Sequence, residues 1–225
     1  PEIPGVPCGN DGASRYLFRR STVSGRVMPF LVEGPRGLQV RSSLSYRRLK
    51  MLHMSGAPVP PELRMSRAAL EQLVEQLDTL RASVQPYRDV HVAMAHGYVQ
   101  AHPRGLVLHH PWVFKHEGYF NDGRFNPAEP EELLYVEDKQ GQPRFVGVAF
   151  ILLRRQVGDR HPDGFIGPLD LWHVHYNTCL GLIPSTADPV ECKQAGRWAT
   201  HGFGWMLHVW IEDDTVVDIS QGFAA

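Results

Sequence analysis

Cysteine is scarce in this chain, no apolar run reaches membrane length, and the commonest catalytic signatures are missing. The three cysteines among 225 residues argue against a clean disulfide framework, because pairing Cys179 with Cys192 would leave Cys8 over. If formed, that crosslink would close a short loop and stabilise the fold by roughly 3 kcal/mol in an oxidising compartment. The location expected on this ground is extracytoplasmic or secreted, with the cytoplasm as the alternative. No stretch of about 18 apolar residues occurs, so no membrane span is expected. The sequence begins at Pro1 without a Met and has no signal-peptide apolar region, which reads as a trimmed or mature form. A phosphate-binding Gly-rich loop, GxGxxG after a strand, GxSxG and HExxH are all absent, which excludes the nucleotide, serine-hydrolase and zincin readings that rest on them.

Strong net charge is lacking too. The formal charge of -1 with 21% charged residues fits neither an overall basic nucleic-acid binder nor an acidic tail, and no nucleic-acid partner is expected. The charge is unevenly placed. Residues 1–64 hold ten Lys or Arg against Glu2, Asp11, Glu33 and Glu62, a net of +6, and the remainder carries -7. The first part can therefore lie against the acidic body or against a second subunit, giving a homo-oligomer through the N-terminal arm.

What the sequence does contain is enough apolar material, 43% of residues, for one domain with a sizeable core. Residues 1–64 read as a basic, Pro/Gly-rich arm and linker, with Val27–Val32 at most a short strand and Met51, His53 and Met54 in an exposed coil. Residues 65–225 read as the main domain. Leu70, Leu73, Val74, Leu77, Leu80 and Val84 recur at helical spacing, with Ser66 as N-cap and Pro86 as stop. YRDVHVAMAHGY predicts a second helix ending at Gly97. LLYVED, RFVGVAFILLRR, LWHVHYNTCL, GWMLHVWIED and TVVDI are β-branched or aromatic runs separated by turn signals. Helices first and strands afterwards predict an α+β domain whose mainly antiparallel strands form a sheet or small barrel.

The histidines carry the chemistry. In a strand, alternate residues share a face, so His173 and His175 project together, roughly 7 Å apart at Cα. In WMLHVWI the same parity groups Met206, His208 and Trp210. Three neutral imidazoles from two strands suit Zn, Cu, Fe or Mn, and coordination satisfies polar groups whose burial would otherwise be costly. In LVLHHPWVFKHEGYF, His110, Trp112, Phe114 and His116 share parity; His109 or His110 is the candidate fourth ligand, and Glu117 is the nearest carboxylate for a ligand or a general base. Trp112, Phe114, Met206 and Trp210 are candidates for an apolar lining. His91, His96, His102, His161 and His201 read as surface or capping residues.

Gly167, His173, His175 and Gly181, followed by Gly204 and His208, resemble the two metal-binding motifs of the cupin superfamily. That resemblance implies a small antiparallel barrel in which His173, His175 and His208 hold a divalent metal, in a superfamily with many dioxygenases, isomerases and lyases. The motif's Glu after the second His has no counterpart, and Cys179 stands near its place. NPAEPEELLY, WHVHYNTC and GWMLHVWI also look like a family of uncharacterised bacterial His-containing proteins, a likeness that supplies no activity.

The function expected is a divalent-metal-binding protein, a His-ligated oxygenase, lyase or hydrolase acting on a small molecule. The alternatives are a non-catalytic metal-binding or storage protein and an oligomeric structural protein without metal.

Overall fold

The computed structural model describes residues 15–20, 27–33, 46–101, 112–158, 162–167, 172–175, 178–181, 196–199 and 204–211. Two strands come first, β1 (Arg15–Arg20) and β2 (Val27–Glu33), followed by α1 (Tyr46–Ser55) and α2 (Arg67–Val84). A 3-10 turn over Gln85–Arg88 leads into α3 (Val90–Ala95), β3 (Tyr98–Gln100), β4 (Trp112–His116) and α4 (Glu117–Asp122). Then come β5 (Glu132–Glu137), β6 (Pro143–Leu153), α5 (Arg154–Val157), β7 (His173–His175), β8 (Thr178–Gly181), β9 (Gly196–Ala199) and β10 (Gly204–Trp210).

The protein is α+β. One antiparallel sheet of eight strands runs β1-β2-β7-β10-β6-β5-β4-β3, and β8 pairs with β9 separately. The large sheet is open: β1 and β3 stand at its two ends rather than pairing with each other. The described part of the N-terminal segment supplies two of its strands and a helix. TVVDI and the Cys8, Cys179 and Cys192 pairing lie outside what is described of side chains and strands here.

Helix α2 forms as its periodicity predicts. The Ser66 hydroxyl accepts the Ala69 N–H at 3.1 Å, satisfying one of the first-turn donors that a helix leaves unpaired. Leu70, Leu73, Val74, Leu77, Leu80 and Val84 are buried along one stripe. α3 is capped by Asp89, whose carboxylate accepts the His91 N–H, and Gly97 follows it at φ +94°, a conformation that favours glycine.

The exposed coil expected around His53 is instead helix α1. Leu49 is buried and Leu52 packs against the core, three residues apart on the side facing α2, while Met51 and Met54 stay exposed. Lys50 bonds to Asp78 at 2.8 Å, and Tyr46 donates to the same carboxylate, so polar contacts tie α1 to α2 beside the apolar ones.

The helices cover one face of the sheet. Their leucines share a core with Tyr98, Phe114, Leu133, Tyr135, Val148, Phe150, Leu152, Trp172, Trp205, Leu207 and Val209. Burial of each such side chain contributes roughly 1.5–3 kcal/mol. The other face, here called the far face, carries a smaller cluster of Val113, Leu134 and Val146, with Trp210 packed against it. Ala149 and Ile151, which alternate with Val148, Phe150 and Leu152 along β6, are fully buried on that side.

Candidate functional site

His208 belongs to the far face. Along β10, Trp205, Leu207 and Val209 enter the helix-side core, and the pleat turns Met206, His208 and Trp210 the other way. His208 is 8% exposed, and its ring lies parallel to Trp210, at 8° with centroids 6.1 Å apart.

The ladders fix where the other two histidines stand. β7 pairs with β10 at Trp205↔Val174 and Met206↔His173. β2 pairs with β7 at Leu31↔His175, Val32↔Val174 and Glu33↔His173. Residues directly opposed in an antiparallel pair share a face, so positions 33, 173, 175, 206 and 208 fall on one side of the sheet. His173 is one strand over and two residues along from His208, about 8 Å at Cα for a strand spacing of about 4.8 Å and a rise of about 3.3 Å. By extension of the same register His175 falls opposite Gly204. That is four residues from the level of His208, about 14 Å at Cα. An imidazole places a bound ion about 6 Å from its Cα, given a metal–nitrogen bond of about 2.1 Å. The Cα spacing thus suits His173 with His208, or His173 with His175, better than all three together.

The remaining sequence-derived candidates divide between the two faces. His109 and His110 lie outside the described residues. Trp112 and Phe114 pack into the helix-side core, whereas Trp210 packs on the far face, so the sheet separates the four residues expected to line one apolar pocket. Parity within each strand was right, and the strands are set in the sheet with opposite phase.

Glu117 is exposed at the start of α4, ion-paired to Lys115 Nζ at 2.7 Å and bonded by Asn121. Those contacts, the Lys115 hydrogen bond foremost, hold its carboxyl below the ordinary range. A general base gains from the opposite shift. His116 caps α4 instead: its Nδ1 accepts the Tyr119 N–H at 3.3 Å, and its ring stacks on Tyr119 at a centroid distance of 3.8 Å.

Two glutamates that sequence reasoning passed over are the more perturbed acids. Glu131 has no exposed surface, and burial pushes its carboxyl up to about 9. Glu132 is raised to about 7, again by burial, with Lys115 opposing the shift. Glu132 pairs with Ala149, and Ala149 on its other side pairs with His208, so the glutamate and the histidine flank one alanine on the far face. The available signal was a Glu-Glu pair opening an apolar strand, where one of the two must face inward.

Gly204, matched above to a motif glycine, has a packing reason of its own. A Cβ there would lie 2.6 Å from the Leu152 carbonyl oxygen. Cavities of about 370 and 350 Å³ flank the α1–α2 seam, the first lined by Lys50, Met51 and Arg81 and the second by His53, Glu75 and Asp78. Among the described residues no three His, Cys, Asp or Glu side chains converge as a metal site; the side chains of His173 and His175 are outside that description. No described helix is long and apolar enough to cross a membrane. In comparisons with family models, curated proteins and solved structures, none matches this chain.

Proposed function

We propose that the protein binds one divalent metal ion on the far face of its sheet, with His173 and His208 as the central donors and His175 next to them. The observation that supports this reading is the β7–β10 register, which sets His173 diagonal to His208 on a sheet face whose neighbouring positions, Ala149 and Ile151, are fully buried. Coordination takes one nitrogen of an imidazole and leaves the other to donate to a neighbour, so buried surroundings tolerate it. Imidazole donors suit Zn, Cu, Fe or Ni. A bound ion with an open position would act there as a Lewis acid on a small molecule. The chain's own part is to fix the donors on a rigid ladder and to keep bulk water from them with Met206 and Trp210.

Calorimetric titration of the apo-chain with Zn(II) tests the reading. One equivalent should bind, and His173→Ala and His208→Ala should each weaken binding by about 100-fold or more, since even outer contacts of such sites are worth about 10–100-fold. His116→Ala, on the helix-covered side, should bind as wild type does. Equal affinity in all four proteins, or none in any, would refute the reading.

A further inference from the structure

Helix α1 carries a second stripe besides the leucines that it buries. Arg47, Lys50, Met51 and Met54 recur at positions i, i+3, i+4 and i+7 of Tyr46–Ser55, the spacing that sets residues on one helix face. Two of them stay in solvent although they are apolar, Met51 at 56% and Met54 at 75% exposed. With Tyr46, and with Arg81 from α2, the stripe lines the cavity of about 370 Å³. We infer that this cavity binds a phosphomonoester with an apolar substituent, the phosphate held by Arg47, Lys50 and Arg81 and the substituent lying on Met51 and Met54.

Two of the cations are held in place before any ligand arrives. Arg81 lies over the Tyr46 ring, with Cζ 4.1 Å from the centroid. Lys50 donates to the Tyr46 hydroxyl at 2.8 Å and to Asp78 at 2.8 Å. One tyrosine thus orders a guanidinium with its face and an ammonium with its oxygen, which lowers the side-chain entropy that binding has to remove. An ammonium has a third N–H to offer a ligand.

Charge selects the ligand. Among the described residues, three cations and no acid line the cavity. Asp78 offsets Lys50 and lines the neighbouring cavity, while Arg47 and Arg81 bring two further positive charges. A phosphomonoester carries about −1.5 to −2 near pH 7, whereas a carboxylate or a phosphodiester brings a single charge. Guanidinium groups also bind phosphate oxygens through paired parallel hydrogen bonds. The second cavity of the seam repels the same anion, because Glu71, Glu75 and Asp78 line it. The volume of about 370 Å³ falls within the range of about 300–1,000 Å³ usual for small-molecule sites, and thioether side chains adapt to apolar groups of varied shape. The cavity stands on the helices, across the sheet from His208, so its test does not depend on the metal.

Calorimetric titration of the full chain at about 0.15 M salt, which screens exposed charges beyond about 8 Å, tests the inference with hexyl phosphate and inorganic phosphate as probes. One equivalent of hexyl phosphate should bind, and inorganic phosphate should bind at least about tenfold more weakly. Arg47→Gln and Arg81→Gln should each weaken hexyl phosphate by about tenfold, and Lys139→Gln, in the turn between β5 and β6, should leave it unchanged. Met51→Gln should weaken hexyl phosphate by about threefold or more and leave inorganic phosphate as it was, a split that loss of the fold does not produce. If Arg81→Gln fails to fold, the variants at the exposed Arg47 and Met51 decide. Vesicles of phosphatidylcholine with and without phosphatidic acid separate the two sources of such a ligand. Sedimentation with phosphatidic acid alone, lost in Arg47→Gln, assigns the phosphomonoester to a lipid headgroup; hexyl phosphate binding without sedimentation assigns it to a soluble compound. No binding of hexyl phosphate, binding no tighter than that of inorganic phosphate, or equal binding in all variants would overturn the inference.

Discussion

Glu131 Oε2 accepts the Ile151 N–H at 3.1 Å, so a side chain closes the β5–β6 ladder where strand pairing stops. β5 begins at Glu132, and the carbonyl two residues before it, that of Pro130, is already taken by the buried Tyr98 hydroxyl at 2.8 Å. The glutamate thus satisfies a backbone donor that would otherwise be buried without a partner, at the cost of burying a carboxyl group.

That cost sets a pH dependence. With the carboxyl raised to about 9 in the folded chain, and near its ordinary value in the unfolded one, the folded state binds more protons across the interval between. Stability contributed by the neutral acid is present at low pH and falls as pH rises towards 9, by at most about 1.4 kcal/mol per pH unit. Glu132, raised to about 7, adds to the fall below that pH. Urea unfolding at pH 5, 7 and 9 should show this decline. Glu131→Gln keeps an acceptor for the Ile151 N–H and should make the decline shallower below pH 7, where Glu132 still contributes, and flatten it between pH 7 and 9; an unchanged slope would mean that the group is not neutral in the fold.

Tyr135 donates its hydroxyl to the Tyr87 carbonyl at 2.6 Å, joining the middle of the sheet to the turn after α2. Tyr135→Phe removes the donor and leaves a buried carbonyl unsatisfied, so a loss of about 1–3 kcal/mol is expected. The urea midpoint should move down with its slope unchanged. A loss below about 0.5 kcal/mol would place water or another donor at that carbonyl.

Gly147 interrupts the apolar run of β6 because β10 passes too close for a side chain. A Cβ at that position would lie 2.4 Å from the Val209 carbonyl oxygen, which is backbone and cannot rotate away. Gly147→Ala should destabilise by roughly 1–3 kcal/mol, as overpacking does. Retention of full thermal stability would mean that the β6–β10 ladder relaxes more easily than its register implies.

How much of this was legible in the sequence depends on whether the information was local. α2 was, because six apolar residues at helical spacing sit between a Ser cap and a Pro. α1 was missed because its buried stripe is short, Leu49 and Leu52, within a strongly basic segment. LWHVHYNTCL reads as one strand, yet His173–His175 joins the large sheet and Thr178–Gly181 pairs with β9. Parity relates residues only within their own strand. It could not say which side of the sheet β4 presents, and so grouped Trp112 and Phe114 with Met206 and Trp210. Neither could it say which strands lie side by side, because ladder register depends on pairings between segments more than a hundred residues apart.

The metal content of the chain purified without added metal tests the central claim most directly. Elemental analysis should find close to one equivalent of a transition metal in the wild type and well under a tenth of that in the His173→Ala, His208→Ala double variant. No metal in the wild type after reconstitution with Zn(II), Mn(II) and Fe(II), or equal metal in the double variant, would contradict the account.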